Sequence, residues 1–436
     1  MIGRNKDSKT FGFWETAAIG IGGMVGGGIF AVLGLAVQLS KGGTPVAFLL
    51  AGIVALITTY SYLKLSVRYP SRGGTVEFLY RAFGSGITTG GLNILLWISY
   101  IVMLSLYAYA FGSYGSTFFS TSLQPVMRHV LTSASIIIFT VLNILGSKIV
   151  GRAETYIVAI KIAILMVFIF FGIKSLSFIQ LQPSNWSGPV SLIGGGMVIF
   201  VAYEGFELIA NATGNIRQPE KILPRAYFAS VIFVIILYVS ISIITIGNLS
   251  IDKIVSSKDY ALAEAAKPFL GTAGFILIAV AALLSTSSAI NATLYGSAKI
   301  SYVIAKEGEL PVALEKMIWN KPIEGLIITS GLTLLIANLF DLSNMAIMGS
   351  SGFLIIFAAV NLANIILSKE TKSAKWLSIL GFVICAGALV VLLVQQISTD
   401  FKKVFIPVGM LLVSFLIELI YRKVKKREIK SSLHVK

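Results

Sequence analysis

Three ionisable side chains stand inside long apolar stretches of this chain: Lys161, Glu204 and Glu207. Lys161 lies roughly ten residues from either end of the run Arg152–Ile173, about 15 Å of helix each way. A lysine stem reaches over only part of that distance. Burial disfavours the charged form of a lysine, so a neutral amine comes within physiological reach and the group can act as a proton switch. The structural alternative is a lysine that caps the carbonyls of a broken helix. Glu204 and Glu207 flank Gly205-Phe206 in a second apolar run. A buried carboxylate requires a partner: a cationic ligand, a proton, another polar group or Lys161.

The third chemical feature is backbone. Residues 22–30 read GGMVGGGIF in the middle of the apolar run Phe11–Leu39. Gly22 with Gly26, and Gly23 with Gly27, are spaced for close packing of two helices. The other reading is an unwound helix, whose half-helix amides at Gly26, Gly27 and Gly28 suit a carboxylate. Carbonyls around Ile21 and Gly22, and at Val201, Ala202 and Glu204, suit an ammonium. Without side chains, a ligand reaches the backbone itself. A second interruption at Tyr203-Glu-Gly-Phe206, five spans later, favours unwinding. Paired discontinuous helices at corresponding places in two halves mark an inverted-repeat transporter with its site between them. The two ends of such a site are complementary to a zwitterionic amino acid; Tyr203 and Phe206 either close over it or serve as packing.

These groups need a scaffold of membrane helices. The chain is 56% hydrophobic and 12% charged over 436 residues, about half the charge of a soluble protein. Its apolar runs are of helix length, roughly 20 residues, and too long for barrel strands. The expected fold is an all-α polytopic membrane protein of about twelve transmembrane helices, each near 20 residues, with the first and sixth broken. Residues 1–10 form an N-terminal tail, 11–173 the first repeat, 191–366 the inverted second repeat, 375–421 two appended helices and 422–436 a basic tail. Lys and Arg outnumber Asp and Glu 35 to 19. They concentrate in the loops and tails on the side that carries both termini, the positive-inside pattern of a multi-pass cell-membrane protein with cytoplasmic ends. The excess therefore speaks for topology and lipid head groups, not for nucleic acid.

Several motifs, taken in order, resemble the amino acid–polyamine–organocation family of permeases. They are Gly26-Gly-Gly-Ile-Phe30, Tyr69-Pro-Ser-Arg-Gly-Gly-Thr75, Gly151-Arg-Ala-Glu154, Gly205-Phe-Glu207, Pro224-Arg-Ala226 and Ala305-Lys-Glu-Gly-Glu-Leu-Pro311. The likeness is strongest to archaeal proton-coupled members and spans Phe11 to about Ile366. It implies the five-plus-five (LeuT-type) fold and amino-acid uptake, with no cofactor beyond protons as coupling ion. The lysine of the fifth helix then stands where sodium sits in sodium-coupled relatives. Protonated Lys161 would bind carbonyls near Gly22 and hydroxyls of Ser285, Ser287 and Ser288, and Glu207 would share the family's gating role. Glu204 stands at a position that varies among relatives, and beside the substrate it would favour a cationic side chain or a polyamine. The segment Asn211–Pro219 lacks the acids usual there, which leaves the inner gate without that ion pair.

Other classes fit less well. A channel needs a continuous pore lined by rings of carbonyls or charge. An enzyme needs a metal set or a nucleophile with its base, but His129 and His434 are the only histidines and lack ligand-spaced partners. No metal site is expected. An exchanger without proton coupling, or an amino-acid sensor that binds without transporting, remains the alternative.

Overall fold

Glycine decides the path of the first span. In the computed structural model, which describes residues 10–71, 73–145, 150–306 and 323–425, that span is two helices. They are α1 (Phe13–Met24) and α2 (Gly28–Ser40), and they meet at 42°. The span starts at Gly12, whose amide donates to the Glu15 carboxylate at 2.9 Å, satisfying a donor that a helix start leaves orphaned.

The chain continues through α3 (Thr44–Arg68), the short amphipathic α4 (Thr75–Phe83), α5 (Ile87–Ser116), α6 (Gln124–Leu145) and α7 (Val150–Gly172). The sixth span comprises α8 (Pro189–Val198), a 3-10 turn (Ile199–Tyr203) and α9 (Leu208–Asn211). Then follow α10 (Pro219–Asn248), α11 (Ile251–Ser256), α12 (Ala261–Lys306), α13 (Ile323–Leu339) and α14 (Leu342–Ile366). The chain closes with α15 (Ser368–Thr371), α16 (Lys375–Thr399) and α17 (Phe405–Lys425). Ten of the described helices are long and apolar enough to cross a bilayer, and the bent pair α1–α2 makes an eleventh. The 17-residue α13 is the shorter apolar helix where a twelfth span is expected. The expected polytopic helical fold is the one observed. Residues 1–9, Arg72, most of Ala305–Pro311 and the tail from Lys426, with His434, lie outside the described residues, as do the side chains of Gly151–Glu154.

Burial sorts the helices into a core and a lipid-facing shell. The most apolar stretch of α5 is 89% buried, whereas that of α6 is 17% buried. Phe170, Ile236 and Leu416 are exposed, as lipid-facing positions should be. Apolar contact drives little association in lipid, so small residues and buried hydrogen bonds hold the bundle. Ser61 donates to Asn361 at 2.7 Å and Asn364 to Ser378 at 2.8 Å. These bonds join α3, α14 and the appended α16 by side chains with no water to compete. The segment after α11 packs on α2. A Cβ at Gly34 would stand 2.2 Å from the Lys258 carbonyl oxygen, so the loop around residue 258 lies directly on α2. Asp259 in that loop accepts from Tyr109 at 3.1 Å and lies 3.5 Å from Arg128.

Candidate substrate and coupling site

The two broken spans touch through their backbones. Val25 N donates to Ile21 O at 2.8 Å and Gly26 N to Gly23 O at 3.1 Å, a tightened last turn that ends α1. Beyond it the chain passes so close to the sixth span that side chains do not fit. A Cβ at Gly23 would lie 2.8 Å from the Gly205 carbonyl oxygen, and one at Gly28 would lie 2.8 Å from the Ala202 Cα. Gly205 has φ +119°, a conformation that favours glycine. Of the two readings of the glycine cluster, unwinding describes the structure: the glycines let one break pack on the other.

The sixth span changes from α-helix to a 3-10 turn at Ile199 and restarts as α9. Glu207 splints the gap, its Oε2 accepting from Gly205 N at 2.7 Å and its Oε1 from the Tyr100 hydroxyl at 3.2 Å. Glu204 Oε2 accepts from the Tyr107 hydroxyl at 3.2 Å. Both acids are nearly fully buried.

Lys161 is 0% exposed, and its Nζ donates to the Gly22 carbonyl at 3.2 Å. Ser285 reaches the same break from α12, donating to Val25 O at 2.6 Å and also contacting Gly26 O. Lysine and serine thus grip neighbouring carbonyls of one break from two sides. Ser287 and Ser288 are half-buried.

A cavity of about 440 Å³ runs from the break along α1 to Phe11 and Glu15. Gly22, Gly23, Glu204 and Leu208 form one wall, with Tyr107 and Val158 beside them, and Ser288, Ala289, Thr293 and Tyr295 of α12 form the other. Its lining reaches the N-terminal end of α1. Among the residues expected to hold substrate, Glu204 lines this cavity. Ile21, Gly26, Gly27, Gly28, Val201, Ala202, Gly205, Tyr203 and Phe206 do not.

For the last two, packing is the reading that describes the structure, not closure over a ligand. The Tyr203 hydroxyl donates to Phe48 O at 2.8 Å. Phe206 packs with Tyr62 and Phe357 at ring distances of 5.4 and 5.2 Å. Both are fully buried in the packing between helices. Several expected ammonium acceptors also carry donors already. Gly22 O accepts from Lys161, Val201 O from Glu204 N at 3.3 Å, and Ala202 O from the Tyr238 hydroxyl at 3.3 Å. A carbonyl oxygen has two lone pairs, so each keeps one acceptor position.

Four residues that carry this geometry escaped the sequence reading. Tyr107, Tyr238 and Tyr100 lie in apolar runs where a tyrosine reads as core. Ser350 of α14 accepts from Val201 N at 2.9 Å and donates to Val198 O at 2.7 Å, yet a lone helical serine carries no signal of this. Tyr295 lines the cavity and is 64% exposed. The acid-poor segment after the sixth span is tied by its backbone to the residues that precede α1. Thr10 N and Phe11 N donate to Asn215 O at 3.0 and 3.1 Å, and Arg217 N donates to Phe11 O at 3.0 Å.

The chain has sequence relatives that match it over nearly its whole length. An uncharacterized protein of Methanocaldococcus jannaschii is 39% identical over 434 residues, covering 98% of this chain and 99% of its own length. The inner membrane transport protein YbaT of Escherichia coli is 33% identical, covering 97% of this chain and 98% of its own. The methylthioribose transporter of Bacillus subtilis is 24% identical, with 84% and 83% covered. The amino acid permease family profile matches residues 11–416, and the chain belongs to that family, a multi-pass membrane transporter for amino acids.

Proposed function

We propose that this permease is a secondary active, proton-coupled amino-acid transporter working by alternating access, with Lys161 as its proton switch. The observation that carries the reading is the fully buried Lys161 bound to Gly22 O at 3.2 Å. A charged amine there ties α7 to the break in the first span. Loss of its proton weakens that tie by removing a charge-assisted bond, and the break is then free to shift. With both termini cytoplasmic in the cell membrane, the cavity along α1 would face the cytoplasm, as an inward-facing state requires.

The amino acid sits at the head of this cavity, beside Gly22, Gly23 and Glu204. The Gly22 carbonyl on the cavity wall, which keeps one acceptor position, favours its ammonium. Glu204, the acid on the cavity wall, favours substrates with a cationic side chain.

The test is radiolabelled uptake into proteoliposomes under an imposed proton gradient, with and without sodium. Wild type and Lys161→Ala are compared on alanine, glutamate, arginine and putrescine. Sodium-independent accumulation that the substitution abolishes is the expected result. Accumulation indifferent to the lysine, or saturable binding with no accumulation, overturns the switch and leaves an exchanger or a sensor.

A further inference from the structure

Each broken span is held by the helix four spans after it. Lys161 lies on α7, the fifth span, and grips the first break. Ser350 lies on α14, the tenth span, and grips the sixth. Its hydroxyl does two things at the point where α8 turns into the 3-10 segment: it receives the Val201 amide at 2.9 Å and donates to the Val198 carbonyl at 2.7 Å. Both groups belong to the turn at which the span changes helix type. Ser350 is fully buried, so no water replaces it. Its neighbour Ser351 instead bonds back to Met348 O of its own helix at 3.1 Å, the usual fate of a serine in a membrane helix. The neighbouring glycine supports the assignment. A Cβ at Gly349 would stand 2.7 Å from Val201 Cγ2, so α14 approaches the sixth span closely enough for a side chain as short as serine to reach its backbone.

We propose that Ser350 is the counterpart of Lys161 in the second repeat: a positioning residue that braces the sixth-span break with an uncharged hydroxyl. The two braces then differ in one respect. The brace on the first break carries a group that can lose its charge, and the brace on the sixth does not. The sixth-span break is a fixed element, holding Glu204 and Glu207 in place, while the first is the one that can be released. Only this contrast rests on the proposed proton switch; the brace itself stands on the two hydrogen bonds.

The experiment is amide hydrogen exchange by mass spectrometry on the full chain in lipid nanodiscs. Ser350→Ala removes the acceptor of the Val201 amide, and peptides covering 198–205 are expected to exchange about tenfold faster, the loss of one buried bond. Peptides covering 20–28 are expected to stay unchanged. Ser351→Ala is expected to change neither region, which controls for a general loosening of α14. Lys161→Met is expected to show the reverse pattern, faster exchange at 20–28 only. In proteoliposomes Ser350→Ala is expected to raise KM for the most strongly accumulated of alanine, arginine and putrescine while leaving its proton dependence intact.

Unchanged exchange at 198–205 in Ser350→Ala, or equal loosening of both breaks, overturns the brace. The expected Ser350→Ala result together with no effect of Lys161→Met at 20–28 keeps the brace and removes the lysine reading alone.

Discussion

The Tyr107 hydroxyl lies 3.2 Å from Glu204 Oε2, while its ring fills the space a side chain at residue 27 would need, 2.2 Å from an ideal Cβ there. One tyrosine of the central helix α5 therefore shapes the first break and orients the acid of the second. Glu204→Gln keeps an oxygen for the Tyr107 hydroxyl but removes the charge that would receive a cation. Arginine and putrescine uptake are expected to fall at least about tenfold, roughly 1.4 kcal/mol, with alanine uptake within about twofold. Tyr107→Phe leaves the charge and frees the carboxylate to wander, so it is expected to fall between wild type and the glutamine variant. Competition assays in proteoliposomes separate the three, and equal losses for alanine and arginine count against a cation-binding role.

Glycine at the contact of the two breaks is expected to be irreplaceable for geometric reasons. In Gly205→Ala the new methyl meets the Gly23 carbonyl carbon at 2.4 Å, on a backbone with φ +119°. Neither the contact nor the conformation can relax without separating the broken spans, and the outcome is lost transport with a lowered unfolding temperature. Gly84 is the matched control, with φ +69° and nothing within 4 Å of an added Cβ. Gly84→Ala is expected to show only the backbone strain, about 1–2 kcal/mol, with transport retained. Thermal unfolding in detergent and uptake in liposomes measure both.

The parts of this site that were legible in the sequence are those with an unusual residue type. A lysine at membrane depth, two glutamates and a glycine cluster stand out because each is expensive in a bilayer unless it has a task. What stayed hidden were ordinary residues with extraordinary partners. Ser350, Tyr100 and Tyr238 are unremarkable in a helix, and only the three-dimensional path of the breaks aims their hydroxyls at broken backbone or buried acid. Tyr203 and Phe206 show the converse. Their position in the second break suggested contact with a ligand, yet their rings point away from the cavity into the packing around Phe48 and Phe357.

At the end of α3, outside the membrane span, the Tyr69 hydroxyl donates to Glu370 at 2.6 Å and ties this end to α15. Burial first, and the bond to the Glu370 carboxylate second, push the Tyr69 phenol up to about 12. The folded form therefore holds the proton more tightly than the unfolded chain, whose phenol ionises near 10. The stabilisation is fully present below pH 10 and is lost as pH rises through about 12. A phenolate absorbance titration of wild type minus Tyr69→Phe is expected to show this late midpoint. Glu370→Gln is expected to bring it down only part of the way, since burial is the larger cause. A midpoint near 10 for wild type dissolves the contact.

Tyr238 offers the sharpest separation of stability from function. Its hydroxyl donates to Met24 O at 2.6 Å and approaches Ala202 O at 3.3 Å, bridging the end of α1 and the 3-10 turn of the sixth span. Tyr227, on the same α10 helix, is equally buried, but its hydroxyl pairs with Ser66 at 3.0 Å, on a helix that is not broken. Replacing either tyrosine by phenylalanine leaves a buried polar group without its partner, a loss of about 1–3 kcal/mol. Both variants are expected to unfold at similarly lowered temperatures. Transport is expected to divide them. Tyr227→Phe keeps uptake close to wild type, because the breaks are untouched. Tyr238→Phe loses most of it, because the Met24 carbonyl that ends α1 is no longer held to the scaffold and the two breaks lose a shared donor. If uptake fell in proportion to stability in both variants, the Tyr238 bridge would be no more than packing. A loss confined to Tyr238→Phe makes the register between the two broken spans a requirement of the transport cycle.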